Sequence, residues 1–366
     1  MAFLSQGAAS SRLRRFHANF SRAWDGRGHI LPMMSLHGAN GAVEHGGAGG
    51  GASLPDHAVW IDLNDPTAEE AAQVERKTGI RVPSRAALSE VESSSRLRRN
   101  RDGLSLSTPM VTFDRSDFSL KPLGFLLNAD HLVTVRFHDM RAIAAVRKRV
   151  DERDGDGSTS TGMFLLVVEE LVDNLADLLE EMSGDLDALS TRIFDFDSGA
   201  RPGARKGDTT APKRRDLALR RLLRSVGRHG KSLSKVRASL LGLGRIIAFA
   251  KSECGQTLKE GDAPRFDTLA QDIASLDEFE TRLSETVQFL LDATLGLINI
   301  EQNNAFRVLT VVSVVGVPPT LVASLYGMNF KHMPELDWAY GYPYGLALIA
   351  ISAIVPLLYF KAKGWL

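Results

Sequence analysis

The segment that decides the fold lies at residues 308–325 and reads VLTVVSVVGVPPTLVASL. Eighteen residues without a charge have the length of a helix that crosses a membrane. A second uncharged segment, YPYGLALIAISAIVPLLYF, follows at residues 342–360. Two buried helices of a soluble core are the alternative, but aromatic residues cluster at both ends of the second segment, as they do at membrane interfaces. The sequence therefore predicts two adjacent transmembrane helices.

Charges beside the two predicted spans indicate their orientation. Arg307 precedes the first span, and Lys361 and Lys363 follow the second, within the basic C-terminal stretch 361–366. The connecting loop, residues 327–341, carries one lysine against two carboxylates. The positive-inside rule then places the loop outside and both chain termini in the cytoplasm.

The N-terminal half is predicted to lie in the cytoplasm. Residues 1–56 are rich in glycine and poor in apolar side chains, without the apolar core of a signal peptide, and we expect a disordered tail. Residues 57–150 combine β-like segments, such as VWIDL at 59–63 and HLVTVRF at 131–137, with a helix pattern at 65–79. We therefore predict a small α/β domain there.

The next part of the chain is predicted to be helical. Residues 163–257 favour a hairpin of two helices with opposite charge: residues 163–200 hold ten carboxylates and one arginine, and residues 201–240 hold thirteen lysines and arginines and two aspartates. These charges either form two solvated faces or collect divalent cations on the acidic face. A third helix is predicted from 265 to 326, a stalk that continues into the first span.

A polar stripe follows this third helix. At 100° per residue, the four hydroxyl side chains of the first span fall within about 80° of arc. The stripe continues towards the N-terminus through amides and a carboxylate, and includes two apolar side chains. Its members are Asp292, Asn299, Asn303, Phe306, Thr310, Ser313, Val317, Thr320 and Ser324. The stripe either packs against a neighbouring helix or, in an oligomer, lines a water-filled path around a shared axis.

The side chains of the stripe suit a hydrated divalent cation. Copies of Asp292 would form a ring of carboxylates, and Phe306 and Val317 would form apolar rings that gate by dewetting. At the outer end, Gly327, Met328 and Asn329 would offer backbone and amide oxygens to Mg²⁺, an ion that keeps several of its waters; Gly327 would also permit an unusual turn. No nucleotide-binding motif is present, and a potential of 100 mV supplies about 4.6 kcal/mol to a divalent cation.

The motif YGMNF at 326–330, with MPEL close behind it, resembles the CorA family of magnesium and cobalt transport proteins. The similarity is close over residues 289–366 and looser towards the N-terminus, and it does not include residues 1–56. The resemblance implies an α+β cytoplasmic domain, a long helical stalk and two C-terminal transmembrane helices in a homopentameric, funnel-shaped channel of a bacterial inner membrane. The expected ion is Mg²⁺, with Co²⁺ and Ni²⁺ as further candidates, and intracellular Mg²⁺ is expected to close the channel as a regulatory ligand.

The resemblance also assigns roles to single positions. It implies a selectivity filter at Gly327, Met328 and Asn329, and pore-lining side chains at Asn303 and Asp292. It implies a basic collar around the cytoplasmic mouth, formed by Arg307, Lys361 and Lys363. Candidates for the regulatory metal site are Asp267 and Asp272.

Two positions depart from the family pattern. Lys331 occupies a site where many relatives carry an acidic residue, in an outer loop that also contains Glu335. A ring of lysines would repel approaching cations, to an extent that salt screens. Phe306 is bulky where smaller aliphatic side chains are common, and it would tighten the gate.

Two other functions stay open at this point. A Zn²⁺ transporter of the related ZntB type usually has Ile or Val in place of Met328. A membrane-anchored signalling or scaffold protein would have no ion path. An enzyme is not expected, because no nucleophile–base pair or catalytic metal set is visible. The expected partners are membrane lipid, further copies of the chain and Mg²⁺ or Co²⁺, with no covalently bound cofactor and no nucleic acid.

Overall fold

The chain forms two compact units. The computed structural model describes residues 33–38, 43–46, 58–90, 96–114, 117–152, 158–195, 211–254, 261–328, 334 and 338–365. One unit comprises Met1–Gly184 and Gly230–Ser284, and the other comprises Asp185–His229 and Glu285–Leu366.

The first unit contains a seven-stranded mixed sheet with the strand order β2-β1-β3-β7-β6-β5-β4. Its strands are β1 (Met33–Gly38), β2 (Val43–Gly46), β3 (Ala58–Asn64), β4 (Leu97–Asn100), β5 (Gly103–Asp114), β6 (Asp117–Leu127) and β7 (Leu132–Arg136). Strands β3 and β7 run parallel, and the other neighbouring pairs are antiparallel. The strands expected around VWIDL and HLVTVRF are β3 and β7.

Seven helices occur in the described residues. They are α1 (Ala68–Thr78), α2 (Arg85–Leu88), α3 (Arg141–Glu152), α4 (Ser160–Phe194), α5 (Ala211–Cys254), α6 (Asp262–Tyr326) and α7 (Gly341–Ala362). Helices α4 and α5 correspond to the expected hairpin, and α6 to the expected stalk and first span. Helix α3 has no counterpart among the predicted elements, although its buried Ala142, Ile143 and Val146 follow helical spacing.

Two strands lie within residues 1–56, where the composition predicts a disordered tail. For β1 and β2 that expectation is wrong, because β1 pairs antiparallel with β3 between Met33↔Asn64 and Gly38↔Ala58. The glycine-rich composition of residues 1–56 does not reveal that β1 pairs with β3, a strand that follows it in the sequence. The rest of residues 1–56 lies outside the described part of the protein.

Helix α1 shows how local sequence sets an element's limits. The Thr67 hydroxyl accepts a hydrogen bond from the backbone N–H of Glu70, and the Glu70 carboxylate accepts one from the backbone N–H of Thr67. This reciprocal pair satisfies two backbone donors that a helix start leaves open. Gly79, with φ of 73°, ends the helix in the left-handed conformation that glycine adopts at low cost.

The core of the first unit lies between the sheet and its helices. Trp60, Ile61 and Phe125 are fully buried on the strands. Phe164 of α4 lies between Phe125, at 5.5 Å between ring centroids, and Phe266 of α6, at 6.3 Å. The aromatic contacts therefore join the sheet to both long helices within this unit.

A charged cluster is also buried in this unit. The fully buried carboxylate of Asp62 accepts hydrogen bonds from Thr134 Oγ1 at 2.7 Å, Arg136 Nη2 at 2.9 Å and Arg147 Nη2 at 2.6 Å. Burial alone would raise the pKa of Asp62, but the two guanidinium groups and the hydroxyl outweigh it and lower that pKa. Because Arg147 belongs to α3, the cluster fixes this helix against the ends of β3 and β7.

The second unit contains both segments that are long and apolar enough to cross a membrane. They lie in the C-terminal part of α6 and in α7, and only 6% of each apolar window is buried within the chain. A helix in the core of a soluble protein would bury most of that window. Helix α6 continues through Pro318 and Pro319 to Tyr326, and α7 begins one residue before the expected span.

Candidate ion-conduction site

The predicted pore-lining residues all lie on α6, and each of their side chains is exposed in the single chain. The two apolar members, Phe306 and Val317, expose 67% and 62% of their surface. No strand or loop among the described residues covers the stripe over its length. The side chains of one chain therefore leave this face of the helix open.

From Val311 to Tyr326, the chain covers the opposite face of the same helix. Val311 is buried, and Val315, Val322 and Tyr326 are partly buried. At 100° per residue, the middle of this covered face lies about 150° from the middle of the polar stripe. Packing of the stripe against the second span of the same chain is thereby excluded for the described residues.

Two hydroxyls of the stripe donate into their own helix. Thr310 Oγ1 donates to the carbonyl oxygen of Phe306 at 2.8 Å, and Thr320 Oγ1 donates to that of Gly316 at 2.9 Å. Because the single hydroxyl proton is used in this way, the remaining lone pairs are acceptors. Waters bound to a cation donate outwards, so these two oxygens are suited to a hydrated metal ion.

The N-terminal part of the stripe carries a carboxylate and two amides. Asp292 is exposed, and its Oδ1 lies 3.5 Å from Gln288 Nε2, a long contact that leaves the carboxylate open to solvent. Asn299 and Asn303 follow on the same face and are exposed. One carboxylate and two amides per chain therefore continue the line of acceptor groups.

The C-terminal end of α6 contains the first part of the predicted selectivity filter. The backbone N–H of Gly327 donates to the Ala323 carbonyl at 3.0 Å, so the helix ends here, and Met328 exposes 43% of its surface. The unusual turn expected at Gly327 is not observed, because its φ is not positive. A Cβ would instead lie 3.2 Å from the Ala323 oxygen, a tight contact that glycine avoids. The other predicted residues, Asn329, Lys331 and Glu335, lie outside the described part of the chain.

Two of the three residues predicted to form a basic collar lie beside aromatic rings, which the prediction does not include. The guanidinium carbon of Arg307 lies 5.7 Å from the centroid of the Trp365 ring. The amine of Lys363 lies 6.0 Å from the centroid of Tyr359, and Lys361 lies in the last turn of α7. The alternation of aromatic and basic residues in YFKAKGW is a sequence signal for the contact of Lys363 with Tyr359.

The two regulatory candidates lie near cations in the first unit. Asp267 forms an ion pair with Lys251. Asp272 lines a cavity of about 250 Å³ together with Arg149, Glu169 and Arg265. Within the described residues, no three carboxylate, histidine or cysteine side chains come together as a metal site.

One acidic group of this cavity, Glu169, is paired with arginines. Glu169 accepts from the guanidinium groups of Arg265, at 2.8 Å, and Arg149, at 3.5 Å. Partial burial, with the nearby Glu170 carboxylate, raises the pKa of Asp173, which also lines the cavity. One chain therefore presents a mixed-charge cavity here.

The family described as CorA-like Mg²⁺ transporter protein matches residues 55–362 of the chain. The chain belongs to the CorA family. Relatives named magnesium transport protein CorA include those of Sodalis glossinidius (strain morsitans), 34% identical over 312 residues, and Escherichia coli (strain K12), 33% identical over 313 residues. These alignments cover 84% and 85% of this chain and 92% of each relative. The family predicted from YGMNF and MPEL is confirmed.

Solved structures show the same fold. The CorA magnesium transporter from Methanocaldococcus jannaschii superposes with a TM-score of 0.69 at 19% identity, over 92% of this chain and 99% of its own. The full-length CmaX protein superposes with a TM-score of 0.61 at 18% identity, over 93% of this chain and 100% of its own. The predicted subunit fold of the CorA family, with an α+β domain, a long helix and two candidate C-terminal transmembrane helices, is thereby confirmed.

Proposed function

We propose that the chain is one subunit of a homopentameric channel that carries Mg²⁺ into the cell down its electrochemical gradient. The observation that carries this proposal is the exposure of the polar stripe of α6 on the face opposite to the one that the chain covers. Membership of the CorA family supports Mg²⁺ as the ion, because the matched relatives are named magnesium transport proteins.

Copies of α6 around an axis would turn the stripe into a sequence of rings. Rings of Asp292, Asn299 and Asn303 would attract and hold a hydrated cation at the inner end. Acceptor oxygens of Thr310 and Thr320 would receive hydrogen bonds from its waters within the membrane. Because the ion keeps waters throughout, the path requires no rigid cage of protein ligands, which suits Mg²⁺.

The apolar residues of the stripe would control passage. Rings of Phe306 and Val317 would expel water from a narrow pore and so stop a hydrated ion. At the outer end, Gly327, Met328 and Asn329 would select the ion through backbone and amide oxygens. The outer loop with Lys331 and Glu335 would set how fast cations reach this filter.

Closure by intracellular Mg²⁺ is proposed to take place between subunits. Asp267 is paired with Lys251, and Asp272 lies in a cavity with two arginines, so neither provides a complete metal site within one chain. A neighbouring copy would have to supply further oxygen ligands. Bound Mg²⁺ would then hold the α+β domains together and keep the α6 helices close to the axis.

The proposed location is a bacterial inner membrane, with both termini in the cytoplasm. Arg307, Lys361 and Lys363 lie at the ends of the spans that the positive-inside rule assigns to the cytoplasmic side. Lipid and further copies of the chain are the proposed partners, and Co²⁺ and Ni²⁺ are proposed as further ions. Enzymatic activity and nucleic-acid binding form no part of the proposed function.

Ion flux into proteoliposomes tests the function. Purified full-length protein should admit Mg²⁺ when the inside is negative, whether or not a pH gradient is present, and Co²⁺ and Ni²⁺ should follow. Zn²⁺ entry that depends on the pH gradient, with no Mg²⁺ entry, would favour the ZntB type. Pentamers that pass none of the four ions would favour the scaffold alternative.

Cysteine labelling tests the role of the stripe. The chain has one cysteine, Cys254, so a Cys254→Ser background allows one new thiol at a time. Thr320→Cys should react with a water-soluble thiosulfonate and lose Mg²⁺ influx on labelling. Val322→Cys, on the covered face, is the matched control and should react slowly. Equal reactivity of the two positions would contradict a water-filled path along the stripe.

A further inference from the structure

Two of the three collar cations contact aromatic rings at the end of α7. The rings of Tyr359, Phe360 and Trp365 form a contiguous cluster, named here the aromatic clasp. Tyr359 and Phe360 are 5.7 Å apart between centroids, and Phe360 and Trp365 stack at 5.4 Å with 23° between their planes. Arg307 Cζ lies 5.7 Å from the centroid of the Trp365 ring, and Lys363 Nζ lies 6.0 Å from the centroid of the Tyr359 ring. Cations over aromatic faces at such distances are attracted by the ring quadrupole.

The backbone after α7 fixes the position of Trp365. Gly364 has φ of 71°, its N–H donates to the Lys361 carbonyl at 3.1 Å, and the N–H of Trp365 donates to the Phe360 carbonyl at 2.9 Å. This pair of bonds is the Schellman ending of a helix, in which the residue after the glycine packs against the residue five positions earlier. Trp365 and Phe360 make that apolar contact here, and Phe360 is 7% exposed.

Arg307 lies beside the predicted path of the ion. It follows Phe306 directly and lies roughly 85° from the middle of the polar stripe on α6. An arginine side chain at such a position reaches either towards the axis of an oligomer or away from it. The contact with Trp365 directs the guanidinium towards α7, away from the stripe.

We propose that Trp365 is a positioning residue for conduction, which holds the Arg307 guanidinium at the flank of the pore and joins the cytoplasmic ends of the two spans. This inference rests on the proposed channel function and deepens it. Five released guanidinium groups would reach the axis beside the Phe306 ring, where they would repel a divalent cation. The aromatic clasp thus keeps positive charge at the mouth of the pore while leaving the path itself open.

A double-mutant cycle on Mg²⁺ influx into proteoliposomes tests the proposal. Trp365→Leu should lower influx roughly two- to fivefold. This is the factor by which loss of a cation–π contact of this class would reduce the fraction of Arg307 side chains that lie at the flank of the pore. In the Arg307→Gln background, the same Trp365→Leu change should have no further effect. Trp365→Phe keeps a ring over which the guanidinium can lie, and it should restore influx. Trp338→Leu, which removes an exposed tryptophan from the turn before α7, is the matched control and should conduct as the unmodified protein does.

The ionic-strength dependence separates positioning from a loss of structure. The deficit of Trp365→Leu should shrink as salt is raised, because the released charges act electrostatically. If Trp365→Leu does not assemble, Gly364→Ala provides a second variant, since it keeps the ring and strains the backbone that places it. Gly364→Ala should lower influx in the same way, and again not in the Arg307→Gln background.

Additive effects of Trp365→Leu and Arg307→Gln on influx would overturn the proposal, as would full influx through Trp365→Leu. A failure of the proposed channel function gives a different result, because the unmodified protein would then carry no Mg²⁺. In that case melting temperatures still test the contact between Arg307 and Trp365. The shifts caused by Trp365→Leu and Arg307→Gln should then be non-additive. Additive melting shifts would overturn the contact itself.

Discussion

The charged cluster around Asp62 and the polar stripe of α6 satisfy their polar groups in opposite ways. Asp62 is fully buried and receives hydrogen bonds from three side chains that lie 72 to 85 residues away in sequence. The stripe is exposed along its length, and its threonines bond only to carbonyls four residues earlier. The first arrangement is complete within one chain, whereas the second presents acceptors to something that one chain does not contain.

This difference separates stability from conduction. A buried charge without its partner is costly, so the Asp62 cluster holds the α+β domain together. Exposed acceptors on a helix that forms its own backbone hydrogen bonds contribute little to folding. We therefore expect substitutions in the cluster to act on unfolding, and substitutions along the stripe to act on ion flux.

The largest expected effect is on the stability that the buried Asp62 cluster provides. Asp62→Ala removes the buried carboxylate that pairs with Arg136 at 2.9 Å and leaves this arginine, which is 4% exposed, only the longer ion pair with the exposed Asp139 at 3.4 Å. The change should lower the free energy of unfolding by about 3–5 kcal/mol. Asp292→Ala, on the exposed stripe, is the matched carboxylate and should change it by less than about 0.5 kcal/mol. Denaturant unfolding of the full-length protein measures both. Equal losses would contradict the separation.

The next effect concerns conduction alone. Asn329→Ala should reduce Mg²⁺ influx to the level of empty vesicles, because the amide oxygen is proposed to receive the ion's waters at the filter. The variant should unfold as the unmodified protein does. Asn304→Ala, an exposed amide on the far side of α6 from the stripe, should keep its influx. Full influx through Asn329→Ala would remove the filter role.

A third prediction concerns the pH dependence of the stability of the α+β domain, through His138. Burial, together with the charges of Arg136, Lys121 and Arg85, lowers the pKa of His138 to about 4, against the opposing effect of Asp139. As the pH falls from about 6.5 to about 4, His138 is therefore protonated in the unfolded chain before it is protonated in the folded protein. Stability should fall in that window by at most about 1.4 kcal/mol per pH unit.

The contribution of His138 can be isolated with one substitution. His138→Asn should remove this part of the slope in denaturant titrations between pH 7 and pH 5. Mg²⁺ influx of the unmodified protein should not follow the same curve, because the residue belongs to the α+β domain. An unchanged slope in the variant would contradict the assignment.

A smaller effect is expected from a single hydroxyl of the stripe. Thr320→Val keeps the shape of the side chain but removes an acceptor for the ion's waters, and influx should fall about fivefold, the equivalent of one hydrogen bond. Thr320→Ser should recover most of it. Val322→Thr, which adds a hydroxyl on the covered face, should not raise influx. Unchanged influx through Thr320→Val would place the hydroxyl outside the path.

The smallest effect concerns the outer loop. Lys331→Glu should raise Mg²⁺ influx about twofold at low salt, since the proposed ring of lysines would oppose the approach of cations and salt screens this interaction. At high salt the two proteins should not differ. A difference that persists at high salt would indicate that Lys331 acts by contact with the ion or the filter, and not through its field.

Several elements were predictable because their signals are local. The uncharged segments at 308–325 and 342–360 are long enough to span a bilayer whatever surrounds them, and α6 and α7 contain them. The limits of α1 follow from Thr67, Glu70 and Gly79, which act on their own backbone neighbours. The motif YGMNF, followed by MPEL, is specific enough to indicate the CorA family by itself.

Other features depend on partners far away in sequence. β1 and β2 were missed because their pairing depends on β3 and not on their own composition. Asp267 and Asp272 are candidates for the regulatory metal site because the family resemblance implies such a site and both lie near the start of the stalk; the sequence does not reveal that Lys251 pairs with Asp267 or that Arg265 shares a cavity with Asp272. The sequence indicates Trp365 only as a membrane-interface residue, since it does not reveal that Arg307 lies above the ring.

The sequence by itself determined the two candidate spans, the polar stripe and the family, because length, helical period and a rare ordered motif do not require distant contacts. Only the tertiary structure decided which face of α6 stays open, since that depends on how Val311, Val322 and their neighbours are covered within the chain. It also decided the pairing of Asp62 with Arg136 and of Arg307 with Trp365, because these partners are far apart in sequence and come into contact only when the chain folds.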